Sequence, residues 1–182
     1  MDRIFEHFLI DIDDHKRRCG FYQQQDPFNL TPYERLAIWT WSLSHHPVAQ
    51  VNKKLRQGHG LKDFEAAFCA LLTGGVRKLP AVSGRRVYRG ITFGQPESEV
   101  RAQFGRGTDH HWPHFSSAAT DINSAYTGDI LIFIETISAR PLALYAQDPF
   151  EHEALFLPGT RFQSLGGWTG QNAYVVYLQE VL

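Results

Sequence analysis

The feature that most limits how this chain can fold is a change of hydrophobic period at Pro80. Before it, apolar residues recur at helical spacing; after it, they alternate or gather in short runs. Helices and strands segregated in this way, instead of alternating, lead to an expected α+β fold. Thr31-Pro32-Tyr33-Glu34 is a helix start: Thr31 can cap, Pro32 suits the first turn, and Glu34 can reach back to close a capping box. That helix is expected to reach about Ser44, with Leu36, Trp39 and Leu43 on its buried stripe and His45-His46 at its C-terminal end. A second helix fits Val48 to Gln57 and stops at Gly58. A third fits Leu61 to Leu72, with Phe64 and Phe68 inward and Gly74-Gly75 closing it.

In the second part, Val87-Tyr88-Arg89-Gly90-Ile91-Thr92-Phe93 alternates, which puts Arg89 on the same face as Val87, Ile91 and Phe93. A charge on an inward face needs a partner. Leu131-Ile132-Phe133-Ile134 suits a strand covered on both sides, and Ala173 to Leu178 forms another. Shorter strands fit Pro141 to Tyr145 and Ala154 to Leu157. Gly94 to Pro113 reads as a surface loop of the kind that borders a site, and Asp121 to Tyr126 as one short helix.

At 182 residues the chain suits one domain with a sizeable core. Its net charge of -1 removes the strongest electrostatic argument for a nucleic-acid partner. Cys19 and Cys69 match neither a disulfide framework nor a zinc pattern, Cys69 reads as buried packing, and the pair points to a reducing compartment. The opening Met1-Asp2-Arg3-Ile4-Phe5-Glu6 carries no signal-peptide core, and no stretch approaches the roughly 18 apolar residues of a membrane span. His110, His111 and His114 lack the glutamate of a His-Glu-x-x-His helix, so no metal is expected. Gly105-Arg106-Gly107 lacks the spacing of a phosphate-binding loop.

Three features carry chemistry: Arg89, the pair Ser116-Ser117 after Phe115, and the glutamates Glu151 and Glu153. Singly, each has an ordinary reading as a buried ion pair, a turn or a solvated loop edge. Taken in order, they resemble the Arg-Ser-Glu class of mono-ADP-ribosyltransferases, which includes bacterial toxins, phage-encoded enzymes and vertebrate surface enzymes. That family carries a Tyr-Arg-Gly strand, here Val87-Tyr88-Arg89-Gly90. It follows an aromatic residue with Ser-Thr-Ser, for which Phe115-Ser116-Ser117-Ala118-Ala119 is the counterpart. Ser117 aligns with the first serine, and Ala119 stands where the family has the second. Its Glu-x-Glu before an apolar strand and a proline is similar to Glu151-His152-Glu153-Ala154-Leu155-Phe156-Leu157-Pro158. The Thr-x-x-Glu helix start, Val51-Asn52-Lys53-Lys54-Leu55-Arg56 and Leu79-Pro80 extend the resemblance over about residues 30 to 182.

The resemblance implies N-terminal helices packed on two short, mainly antiparallel sheets, a split β-sandwich with an NAD cleft. Residues 1-182 are expected to form a single ADP-ribosyltransferase domain, with a helical portion over 31-80 and a β-rich catalytic core over 81-182. Residues 1-30 are read either as a docking or delivery segment or as one more solvated helix. The implied reaction moves ADP-ribose from NAD, a co-substrate, to an arginine of a target protein, with release of nicotinamide. Glu153 would stabilise the oxocarbenium-like sugar, Ser117 would fix that carboxylate, and Arg89 would face the NAD phosphates or ribose. Gly90 and Ser116 would line the cofactor site beside them, with Phe115 or Trp112 stacked on nicotinamide. Glu151 would orient the acceptor guanidinium.

A chain of this kind resembles a secreted effector or toxin that serves virulence and acts in the cytosol of a target cell, or else remains cytoplasmic. An immunity protein or chaperone would then join the target among its partners. Three alternatives use the same residues: an NAD glycohydrolase, a catalytically weakened binding module suggested by Ala118-Ala119, and an RNA-directed transferase. The near-neutral charge argues against the last.

Overall fold

The computed structural model describes residues 1–182 apart from Ser83 and Arg85. The chain forms two compact units, one of Met1–Pro80 with Leu142–Phe150, the other of Ala81–Pro141 with Glu151–Leu182.

The first unit holds α1 (Asp2–Phe5), α2 (Ile12–Arg18), α3 (Pro32–Ser42), α4 (His46–Gln57) and α5 (Asp63–Lys78). The capping box forms as read: Glu34 N donates to Thr31 Oγ1 at 3.3 Å and Thr31 N to Glu34 Oε2 at 2.7 Å. Two expectations are corrected. His45 does not close α3 but precedes α4 at its N-cap position, because Pro47 fits a first turn and cannot extend the helix before it. Gly74-Gly75 does not end α5, which continues to Lys78. A Cβ at Gly75 would lie 3.0 Å from Glu34 Cβ and 3.2 Å from Ile38 Cδ1. The glycines are therefore where the α5 backbone meets α3, and that packing outweighs their cost of about 1 kcal/mol each in a helix.

Residues 1–30 contribute core to this unit, since Phe5 and Phe8 are buried with their rings 6.2 and 4.5 Å from that of Phe68. In the charged stretch of α2, Lys16 turns inward and donates to Asp2 Oδ2 at 2.8 Å. Both cysteines are free; Cys19 is buried and Cys69 half-buried, and burial pushes their thiols up to about 11 and about 12.

The segment expected as a strand over Pro141 to Tyr145 is one only at Arg140–Pro141. Beyond it the chain turns, with the Tyr145 and Ala146 amides donating to the Leu142 carbonyl. The turn buries Tyr145, whose hydroxyl donates to Asp26 Oδ2 at 2.8 Å. Asp26 also accepts from the Phe28 and Leu30 amides at 2.9 and 3.0 Å and lies 3.6 Å from Arg35 Nη1. Arg35 is 2 % exposed, and its Nη2 donates to the Phe21 and Gln23 carbonyls. Burial works to raise the Asp26 carboxyl, but the Leu30 amide, the Tyr145 hydroxyl, the Phe28 amide and the Arg35 charge together hold it below the usual carboxylate range.

A folded-state value below the unfolded one gives stability that is present above about pH 4 and is lost as the pH falls through the folded value. Asp26→Asn keeps the shape but leaves the Arg35 charge buried without its counter-ion. Urea titration is expected to show a loss of about 3–5 kcal/mol at neutral pH, together with a weakened acid transition. A loss under about 1 kcal/mol would show that the pair is not a structural anchor.

The second unit holds β1 (Arg86–Ile91), α6 (Glu97–Gln103), β2 (Asp109–Trp112), β3 (Ser116–Ala119), β4 (Ile130–Glu135), β5 (Arg140–Pro141), β6 (Glu153–Phe156), β7 (Thr160–Thr169) and β8 (Tyr174–Val181). The strands lie in the order β2-β7-β8-β4-β1-β3-β6-β5, antiparallel throughout except for β4 with β8. Val87, Ile132, Ile134, Val176 and Leu178 bury one face, while Tyr88, Phe133, Tyr177 and Trp168 form a row of adjacent rings on the other.

Gly94 to Pro113, expected as loop, contains α6 and β2. The helix buries Val100, and Phe104 just after it is buried too, while β2 owes its order to pairing with β7, from Asp109 opposite Gln163 to Trp112 opposite Thr160. Strand β7 itself breaks its register between Ser164 and Gly166, which hides its alternation from a reading by period. Asp121 to Tyr126 makes only a 3-10 turn, Ile122–Ser124, capped by Asp121.

The strands form one ladder, not two separate sheets, but the ladder is thin at one point. Six residue pairs join β1 to β4 and four join β3 to β6, whereas β1 and β3 pair only at Tyr88 opposite Ala119. Continued pairing would set Arg89, Gly90 and Ile91 against Ala118, Ser117 and Ser116; instead the strands part there.

Candidate active site

Arg89 stands where β1 leaves β3. Its register partner on β4 is Ile132, so the side chain starts from the buried face, as its alternation implied. Its Nη1 donates to the backbone carbonyl of Ser117, so a side chain of β1 reaches across to β3 where the strands no longer pair. The guanidinium carbon lies 5.6 Å from the centre of the Trp112 ring, within cation-π range. Trp112 is half-buried and is in turn backed by Phe162, with ring centres 4.3 Å apart.

The next residue, Gly90, is packed from outside the strand. A Cβ there would overlap the backbone carbonyl oxygen of Tyr126 and crowd its carbonyl carbon at 2.6 Å and its Cα at 3.4 Å. Only glycine admits this approach.

Glu153 begins β6 opposite Ala119, and Ser117 lies opposite Leu155. Two residues along antiparallel partners share a face, so Ser117 and Glu153 are diagonal neighbours. The Ser117 hydroxyl donates to Glu153 Oε1 at 2.5 Å, the short distance of a hydrogen bond to a charged acceptor. Ser117 is thus the hub: its carbonyl receives Arg89 and its hydroxyl holds Glu153.

Glu151 ends the 3-10 turn Pro149–Glu151 and is exposed. Between the two glutamates His152 has φ 49, the left-handed region that costs a non-glycine residue about 1–2 kcal/mol. In a regular strand Glu151 and Glu153 would share one face. The left-handed residue breaks that alternation, leaving one carboxylate bonded and the other open. The His152 carbonyl accepts from Thr120 N at 2.8 Å and Thr120 Oγ1 at 3.2 Å.

Of the two aromatic candidates, Phe115 is 1 % exposed and packs within the core, while Trp112 lies against Arg89. Ser116 is likewise 1 % exposed, and its hydroxyl has no hydrogen-bond partner among the described residues. His110 stacks on Phe104 with ring centres 4.8 Å apart, and burial holds its imidazole below the usual range. Among the described residues, no three His, Cys, Asp or Glu side chains are placed to hold a metal ion, and no helix is long and apolar enough to cross a membrane.

A permanent cation beside an indole and a carboxylate locked by a hydroxyl meet at Ser117, and a second carboxylate stands exposed two residues before the first. The model of the NAD:arginine ADP-ribosyltransferase family matches residues 14–181. The chain belongs to this family. It is accordingly an ADP-ribosyltransferase with NAD as co-substrate. A side-chain set of guanidinium, indole and carboxylate fits a ligand that carries phosphates, ribose and a flat ring.

No curated protein matches the sequence. Among solved structures, the ADP-ribosyltransferase HopU1 of Pseudomonas syringae pv. Tomato DC3000 is similar with a TM-score of 0.79 at 20% identity, over 96% of this chain and 89% of that one. Exoenzyme S from Pseudomonas aeruginosa, solved with human 14-3-3 protein beta and carba-NAD, gives 0.74 at 14% identity, over 99% and 88%. The type III effector XopAI from Xanthomonas axonopodis pv. citri gives 0.71 at 16%, over 94% and 77%. At these identities the likeness is one of fold.

Two features of the site lay outside the sequence reading. Thr120 follows the aligned motif and carries no signature, and a left-handed histidine leaves no trace in sequence.

Proposed function

We propose that this protein transfers ADP-ribose from NAD to an arginine side chain of a target protein, as a delivered effector. The observation that carries the reading is the unequal fate of the two glutamates: Glu153 is gripped by Ser117, and Glu151, turned aside at His152, stays exposed. NAD supplies one bond to break, between nicotinamide N1 and ribose C1′, and the electron pair leaves with nicotinamide. In this reading Glu153 stabilises the positive charge that builds on the ribose, and the Ser117 hydrogen bond supports it by fixing the carboxylate in advance. Arg89 offers a fixed cation to phosphate or ribose oxygens, and Trp112 is the ring proposed to face the dinucleotide. Glu151 holds the acceptor guanidinium and takes the proton released when its nitrogen bonds to C1′, so charge and atoms balance. The delivery reading rests on the fold shared with the type III effector XopAI.

The test separates the two carboxylates. Nicotinamide release and the labelling of agmatine, a small guanidinium compound, are measured side by side. Glu151→Gln is expected to lower agmatine labelling by about 100-fold while nicotinamide release in water stays within about threefold. Equal loss of both would remove the acceptor role from Glu151. Nicotinamide release by the parent with no labelled agmatine would favour an NAD glycohydrolase.

A further inference from the structure

We infer that Thr120 is a positioning residue for the acceptor-side carboxylate, acting through His152. This rests on the reading of Glu151 as the group that meets the acceptor. The chain departs from the family pattern at Ala119, where a hydroxyl is missing. One residue later Thr120 supplies a hydroxyl, and it is spent on the turn between the glutamates.

The two carboxylates are held by different means. Glu153 lies in the β3–β6 ladder, opposite Ala119, and is bonded by the Ser117 hydroxyl at 2.5 Å. Glu151 lies outside the ladder, exposed, at the end of a 3-10 turn. What directs Glu151 is the conformation of the residue between them. His152 sits at φ 49, and a non-glycine residue persists there only when its surroundings hold it. Its carbonyl accepts two hydrogen bonds, both from Thr120: the amide at 2.8 Å and Oγ1 at 3.2 Å. The amide bond continues the ladder by one step and is available to any residue but proline. The hydroxyl bond depends on the side chain. Removing it loosens the carbonyl and lets His152 relax toward ordinary φ, which swings Glu151 back toward the face of Glu153. Ser117 and the ladder keep Glu153 in place meanwhile.

Thr120→Val removes the hydroxyl at nearly constant shape and keeps the amide; Thr120→Ser restores the hydroxyl. Each protein is assayed for nicotinamide release from NAD in water and for ADP-ribosyl-agmatine formed across a range of agmatine concentrations. Thr120→Val is expected to lower the ratio of transfer to hydrolysis by about three- to tenfold, chiefly through a higher KM for agmatine, as the loss of one hydrogen bond implies. Hydrolysis should stay within about twofold, and Thr120→Ser should return the ratio to that of the parent. A parent that transfers to agmatine while Thr120→Val keeps the same ratio overturns this inference alone. A parallel fall in both activities also overturns it, since that is the mark of a general structural role. A parent that releases nicotinamide but forms no ADP-ribosyl-agmatine overturns the arginine reading, and this inference with it.

Discussion

Replacing Glu153 by glutamine is expected to lower nicotinamide release and ADP-ribose transfer together by at least about 100-fold, with the thermal midpoint within about 2 °C of the parent. Glutamine has the same length and its amide oxygen can still accept the Ser117 hydroxyl, so the substitution removes charge and little else. The lost quantity is the interaction with a sugar that becomes positive only in the transition state, and one well-placed electrostatic group of this kind contributes about 100- to 1000-fold in rate. Glu153 is also at the start of a strand and partly exposed, where a neutral isostere costs little stability. Single-turnover measurement of nicotinamide release, paired with calorimetric melting, checks both halves. Activity within about tenfold of the parent would take the bond-breaking role away from Glu153.

The second large effect concerns Gly90, which touches no chemistry by itself. Its absent side chain is the space through which the Tyr126 carbonyl passes, and the obstacle is backbone, which cannot rotate away as a flexible side chain would. Gly90→Ala therefore has to displace either β1 or the segment around Tyr126, and a cost of about 3 kcal/mol or more is expected from overpacking of this severity. Because Arg89 is the adjacent residue, the shift also moves the guanidinium off the Ser117 carbonyl, so activity falls along with stability. Gly60→Ala makes the matching control, since nothing lies within 4 Å of a Cβ there. Urea unfolding of the two variants should separate them by several kcal/mol; equal midpoints would mean that the Tyr126 approach yields without cost.

Local order was largely legible in the sequence where short-range chemistry decides it. The capping box of Thr31 and Glu34 depends on residues three apart, and it forms as spelled. The alternation around Arg89 and the apolar run at Ile132 likewise became neighbouring strands, because burial of one face needs only period. The errors lie where a residue's role is set by something distant in sequence. Gly74-Gly75 reads as a helix end until Glu34 and Ile38 are laid against it. Strand β2 reads as loop until β7 supplies its hydrogen-bond partners, and β7 is itself concealed by its break in register. Tyr145 reads as strand until Asp26, 119 residues away, claims its hydroxyl.

The same division runs through the site. By itself the sequence singled out the candidate residues, since the identities and order of Arg89, Ser117, Glu151 and Glu153 belong to a pattern that composition alone would not produce. It also determined the α+β class, because period is a local property. Only the tertiary structure decided what those residues can do together. It parted β1 from β3 after one pair, so that Arg89 reaches across to the Ser117 carbonyl. It set Ser117 diagonally across from Glu153, a matter of register, and turned His152 left-handed where its carbonyl accepts two hydrogen bonds from Thr120, 32 residues away. Register, strand divergence and backbone handedness arise from contacts between segments that meet only in the folded chain, and these contacts give two glutamates of equal chemistry unequal settings, one bonded and one exposed.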